Sequence, residues 1–343
     1  MRILLTGHDG YIGAVMAPWL QAEGHRVVGL DSGLFAGCDF GGYEPKLDVL
    51  RRDLRDVEPA DLAGFDAVIH LAAISNDPLG DLNPDCTYDI NHRASVRLAQ
   101  CARAAGVPRY LYSSSCSVYG AASPEAVLDE TASFSPVTPY GRSKVMVEED
   151  VSKLATDAFS PTFLRNATVY GVSPRLRGDL VVNNLVGWAH TTGRVFIKSD
   201  GSPWRPLVHV EDVCRAFAAV LRAPRESIHN AAFNVGRNGE NYRIRDVADL
   251  VKQAIPGSRI EYAEGAGPDP RCYRVDFSRI AETLPEFAPR WTVADGVAEL
   301  RDAFRAVGLV QADLEGDRYL RIRRISRLMN EGRLDANLRW VAR

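Results

Sequence analysis

The chain has 343 residues, with 41 Lys+Arg against 44 Asp+Glu and a formal net charge of −3. This length implies about two domains, or one large domain with an appendage, and it can bury a core without disulfides or a structural metal. At 46% apolar and 25% charged residues the composition is that of a globular protein. The charge balance argues against a protein that lives on nucleic-acid phosphates. No run reaches the ~18 apolar residues that cross a bilayer, so no membrane partner is expected. MRILLTGHDG turns into glycines too early for a secretory leader, and a cytoplasmic location is expected.

Taken in chain order, short apolar runs alternate with helical patterns. Arg2–Thr6 reads as a buried strand, Ile12–Glu23 as a helix, Arg26–Leu30 as a second strand and Ala67–Leu71 as another. A helix over 84–105, a strand at Arg109–Ser113, a helix over 139–157 and a strand at Pro161–Arg165 follow. Nearly continuous apolar strands, each separated by a helix, predict an α/β fold with a doubly wound parallel sheet. After Tyr170 the rhythm breaks. Ser173–Asp179 and Ser199–Pro206 read as loops, and helices are expected at 180–191, 211–222 and 244–255, with a short run at Ala231–Val235. The expected division is a sheet domain over 1–171, to which segments near 205–236 return, and a smaller, partly interleaved part over 172–343. The charged stretch 316–343 carries Leu320, Ile322, Ile325, Leu328 and Met329 at helical spacing, which predicts a helix docked on the body. The six cysteines (Cys38, Cys86, Cys101, Cys116, Cys214, Cys272) are scattered without a C-x-x-C pair, and no metal site is expected.

Three motifs carry chemistry. Gly7, Gly10 and Gly13 stand between the first strand and the first helix. Glycines there permit a tight turn and close approach to a pyrophosphate that faces the helix N-terminus. Tyr11 and Ile12 lie in the same turn. Asp31 ends the second strand, where a carboxylate accepts from a ribose diol and repels a 2′-phosphate, favouring NAD over NADP. Tyr140 and Lys144 are four apart on a helix, so phenol and ammonium share a face. A free phenol titrates near 10, and a neighbouring Lys favours its phenolate. Upstream, Ser113-Ser114-Ser115-Cys116-Ser117 ends a strand at the carboxyl edge of the sheet, where such sheets bind ligands. A serine there can share a reacting hydroxyl's proton with Tyr140.

With these motifs, and with Asp53-Leu54, Leu71-Ala72-Ala73, Asn91 and the segment 205–213, the chain resembles the extended short-chain dehydrogenase/reductases, specifically the NAD-dependent nucleotide-sugar epimerase/dehydratase family with its Rossmann domain. The resemblance implies that Asp53 and Leu54 touch adenine, that Leu71, Ala72, Ala73, Asn91 and Ser113 line the cofactor path, and that Lys144 holds the nicotinamide ribose. It implies a catalytic set of Ser115, Tyr140 and Lys144. The sugar and diphosphate fall to Ser75, Asp77, Ser115, Cys116, Ser117, Asn166, Thr168, Arg177, Arg205 and Arg271, with Arg175 and Arg274 as further candidates. Family dehydratases carry an Asp–Glu pair where this chain has Cys116 and Ser117, and decarboxylases carry Glu in place of Ser117. The implied reaction is therefore 4-epimerisation of a nucleotide-diphosphate sugar through a transient 4-keto sugar, with Tyr140 as base. Two alternatives stand beside it: a dehydratase or 3- or 5-epimerase using Cys116 or Asp77, and a non-catalytic NAD-sensing regulator. The resemblance also implies a homodimer.

Overall fold

The fold is described from a computed structural model covering residues 1–75, 83–123, 125–267, 269 and 271–341; Asp77 lies outside the described residues. Strands β1 (Arg2–Thr6), β2 (Arg26–Asp31), β3 (Asp48–Arg51), β4 (Ala67–His70), β5 (Arg109–Ser115), β7 (Ser160–Asn166) and β11 (Ala231–Val235) form a seven-stranded sheet in the order β11-β7-β5-β4-β1-β2-β3. Every pairing in it is parallel. The order reverses between β1 and β4, which opens the ligand crevice of such sheets at their carboxyl edge.

Both faces are covered because successive strand residues point to opposite sides. Ile3 and Leu5 of β1 pack with Met16, Ala17 and Leu20 of α1 (Gly13–Ala22). Leu4 packs on the other side with Leu98 and Ala102 of α2 (Ala94–Ala104) and Val147 of α3 (Pro139–Ser152). The helix expected over 84–105 is broken by a π turn at Asp89–Arg93. Downstream, α4 (Val181–Thr192), β9 (Arg194–Ile197), β10 (Trp204–His209), α5 (Val210–Arg222), α6 (Ile244–Ala254) and α7 (Val293–Val307) divide between two cores. Val213 and Phe217 of α5 join Ile3 and Leu5, and β11 pairs with β7, so this part of the chain lies on the main sheet. By contrast, α4, α6 and α7 make a separate core around Leu185, Val247 and Phe304.

One segment differs from the sequence expectation. The loop expected at Ser199–Pro206 runs into β10, which pairs with Thr168–Tyr170 and Asn241–Arg243. The helix α8 (Arg321–Asn330) docks on the body, where Ile325 and Leu328 pack with Ile74, Cys86, Leu34 and Phe35.

Candidate active site

The turn after β1 is built from backbone. Gly7 has φ +74°, a left-handed conformation that glycine adopts without strain. A Cβ there would lie 2.8 Å from the Ala72 nitrogen, and one on Gly13 would lie 2.1 Å from the Gly7 carbonyl oxygen. Gly10 and Gly13 thus let the turn fold onto itself and open the start of α1 to a ligand. Around it, the Tyr11 hydroxyl donates to the Gly171 carbonyl at 2.7 Å, and Ser173 donates to the Tyr11 carbonyl at 2.7 Å. Asp31 accepts from the Gly33 amide at 2.7 Å. Burial pushes its carboxyl above the usual range, against the Gly33 hydrogen bond.

The second cluster lies where β5 meets α3. Thr138 caps α3 by accepting from the Gly141 amide at 3.1 Å, which fixes Tyr140 and Lys144 in the first turns. The Lys144 ammonium donates to the Ser113 carbonyl at 2.6 Å and lies 5.6 Å from the centre of the Tyr140 ring. Burial pulls this ammonium down to about 7, with Glu148 opposing. Ser115 donates to the Ser117 hydroxyl at 3.0 Å and accepts from the Ser117 amide at 3.1 Å. Behind them Glu148 binds Ser114 and Arg165, the latter at 2.7 Å.

The third cluster is made of paired charges. Arg177 binds Asp179 at 2.7 Å and donates to the Ser75 hydroxyl at 3.1 Å. Burial pushes the Asp179 carboxyl up, but Arg177 outweighs it and the net direction is down. Arg205 and Arg271 share one carboxylate, Asp269, at 2.9 and 2.7 Å.

These clusters surround a single cavity of about 840 Å³. It is lined at one end by Gly7, Gly10, Tyr11, Ile12, Gly13, Asp31, Asp53 and Leu54, and along its floor by Leu71, Ala72, Ala73 and Ser113. Ser115, Ser117, Tyr140, Lys144, Asn166, Thr168, Ser75 and Arg177 also line it, and Arg205 and Arg271 join them around Asp269. The residues fit a dinucleotide: the glycine turn leaves no room for a Cβ, and the half-buried Asp31 carboxylate faces the same space.

Two sequence expectations are corrected. Cys116 does not line the cavity; it is 1% exposed in the core and its thiol donates to the Arg165 carbonyl at 3.1 Å. Its side chain turns inward where β5 ends, and burial pushes the thiol well above its ordinary range. Asn91 also lies outside the lining: its amide oxygen accepts from the Ile74 nitrogen at 2.7 Å and its amide nitrogen donates to the Ile74 carbonyl at 2.9 Å. It holds the backbone after β4 rather than a ligand. Arg175 is drawn to the glycine turn, paired with Asp9 at 2.5 Å and with Asp39. Arg274 stacks on Trp204, 4.8 Å from its ring centre. The sequence reading missed Phe35, Asn184, Trp188 and Arg321, all of which line the cavity. The helical spacing of 320–329 pointed to α8 but not to what Arg321 faces.

A doubly wound sheet with a glycine turn, a half-buried carboxylate ending β2 and a Tyr–Lys pair beside a serine-rich strand end defines a dinucleotide-binding α/β protein. The chain belongs to the NAD dependent epimerase/dehydratase family, whose pattern it matches over residues 3–236. It is 31% identical to the UDP-glucose 4-epimerase of Mycolicibacterium smegmatis over 89% of this chain and 99% of that protein. It is 25% identical to UDP-glucuronic acid decarboxylase 1 of Arabidopsis thaliana, over 89% of this chain and 70% of that one. Among solved structures, MoeE5 in complex with UDP-glucuronic acid and NAD superposes with a TM-score of 0.77 at 27% identity, over 89% of this chain and 99% of that chain. NAD is the cofactor of the family, and no helix among the described residues is long and apolar enough to cross a membrane.

Proposed function

We propose that the chain is a nucleotide-sugar 4-epimerase. The observation that carries this reading is that, among the described residues, the strand end presents one acid–base set, Ser115, Tyr140 and Lys144, where the next residue, Cys116, is a core thiol. Elimination across C5–C6 requires a second acid and base. The cavity carboxylates nearest the charged end are already held: Asp179 by Arg177, and Asp269 by Arg205 and Arg271.

Gly7, Gly10, Gly13, Asp31, Asp53, Leu54 and Ala72 would hold NAD, which supplies a reversible hydride acceptor when bound. Tyr140 takes the proton of the sugar C4 hydroxyl, and Ser115 orients that hydroxyl. Lys144 stabilises the phenolate, and the protonated Tyr140 returns its proton to the C4 oxygen when the 4-keto sugar is reduced. Arg205 and Arg271 hold the nucleotide diphosphate while the sugar turns over. A homodimer, which the resemblance supports, and a cytoplasmic location are part of this reading.

The test is incubation with a panel of UDP- and dTDP-sugars in D₂O, read by NMR. Inversion at C4 without solvent deuterium at C3 or C5 is expected. Deuterium at either carbon sinks the mechanism in favour of enolisation. No turnover of any sugar, with Tyr140→Phe leaving NAD binding intact, favours the sensing regulator.

A further inference from the structure

Arg321, the first residue of α8, is 4% exposed and lines the cavity. Its guanidinium is pinned on two sides. One nitrogen, Nη2, donates to the Arg175 carbonyl at 3.1 Å, and the flat face lies 4.1 Å from the centre of the Phe35 ring. Its other terminal nitrogen, Nη1, is buried without a hydrogen-bond partner among the described residues. The carboxylates of the neighbourhood are already taken. Asp9 and Asp39 pair with Arg175, and Asp179 pairs with Arg177. Burial, followed by the charge of Arg177, pulls the Arg321 guanidinium down to about 10, so it remains a cation at neutral pH.

A buried cation with an unused donor is costly to a folded chain. Replacing it by an apolar side chain of similar length would relieve that cost, so packing alone does not account for an arginine here. The missing partner is an anion inside the cavity. Its position says which one. Phe35 follows the strand that ends in Asp31, and Arg175 reaches the glycine turn through Asp9. Both features belong to the dinucleotide end. The cations of the opposite end, Arg205 and Arg271, are shared around Asp269.

We propose that Arg321 is a ligand of the dinucleotide diphosphate, delivered by the C-terminal helix across the cavity from the glycine turn. The arm that carries it is anchored to the same end of the sheet. Arg339 binds Asp56 at 2.8 Å, the Trp340 indole donates to the Ser32 carbonyl at 2.7 Å, and Arg324 donates to the Ala36 carbonyl at 2.9 Å. The proposal rests on the reading of this cavity as an NAD site, and the experiment separates the two.

The protein and its Arg321→Met and Arg321→Lys variants are compared in three measurements: NAD affinity, with release followed on dilution of the loaded protein; UDP affinity by calorimetry; and thermal unfolding without ligand. A hydrogen-bonded charge pair lost from a dry site weakens binding by about 10- to 100-fold. That loss is expected for NAD in Arg321→Met, with a smaller loss in Arg321→Lys. UDP affinity is expected to stay within about twofold, and the ligand-free Arg321→Met protein to unfold no lower than its parent. Unchanged NAD affinity in a folded variant overturns the proposal, as does an equal loss of UDP affinity. If Arg321→Met does not fold, Arg321→Lys decides by the same criterion. A parent protein that binds no NAD overturns the cavity reading together with the proposal.

Discussion

The two ends of the cavity are made of different material. At the dinucleotide end the shape comes from backbone: Gly7 and Gly13 approach Ala72 and each other more closely than any side chain permits. At the opposite end the shape comes from side chains already bound to one another, with Asp269 on both Arg205 and Arg271. A backbone cradle is preorganised and intolerant of change. Paired arginines are held in place, but a phosphate must compete with their carboxylates.

The junction between the ends gives the largest expected effect. Tyr140→Phe removes the proton-transferring group and is expected to lower kcat by about 10²- to 10⁴-fold, with NAD affinity and unfolding unchanged. A kcat within tenfold of the parent, from steady-state kinetics, removes Tyr140 from the chemistry. At the backbone end, Gly13→Ala drives a Cβ into the Gly7 carbonyl. A loss of about 1–3 kcal/mol in urea unfolding is expected, together with loss of NAD retention on gel filtration. If the variant retains NAD normally, the cradle is softer than the comparison holds.

At the paired-charge end Asp269→Asn removes the negative charge that Arg205 and Arg271 share. UDP affinity is expected to rise about threefold with a steeper salt dependence, the scale of a single partly exposed ion pair. A fall in affinity would show that Asp269 positions the arginines more than it competes with the ligand. The smallest effect concerns Lys144. Its ammonium titrates near 7 in the fold against 10.5 for the free side chain. Between these values the unfolded chain binds more protons, so stability rises with pH across this window, and the cost of the buried charge is fully present below it. Lys144→Met is expected to flatten that rise and to stabilise the protein at pH 7, as read from urea midpoints between pH 6 and 9.

What could be read in the sequence follows the same division. The glycine turn, Asp31 and the Tyr140/Lys144 pair are local patterns, each set by neighbours within a strand, a turn or a helix. The alternation of Leu4 with Ile3 and Leu5 between two cores is local too. Cys116 was open as a catalytic thiol because a sequence does not say to which side of a strand end a side chain turns. The sharing of Asp269, the pairing of Arg175 with Asp9 and the place of Arg321 depend on residues far apart in the chain. The helix α7 was missed although Val293, Val297, Leu300 and Phe304 are spaced for one buried face and Thr292 caps it.

The docking of α8 also orders events in time. Phe35 and Ser32 are made early in synthesis, while Arg321, Leu338 and Trp340 emerge late, and these contacts bridge nearly the whole chain. Contacts of such separation form late, because loop closure precedes any reward from packing. The sheet can therefore assemble on the ribosome before its ligand chamber has a complete wall. Full capture of the dinucleotide then becomes a closing step of biogenesis.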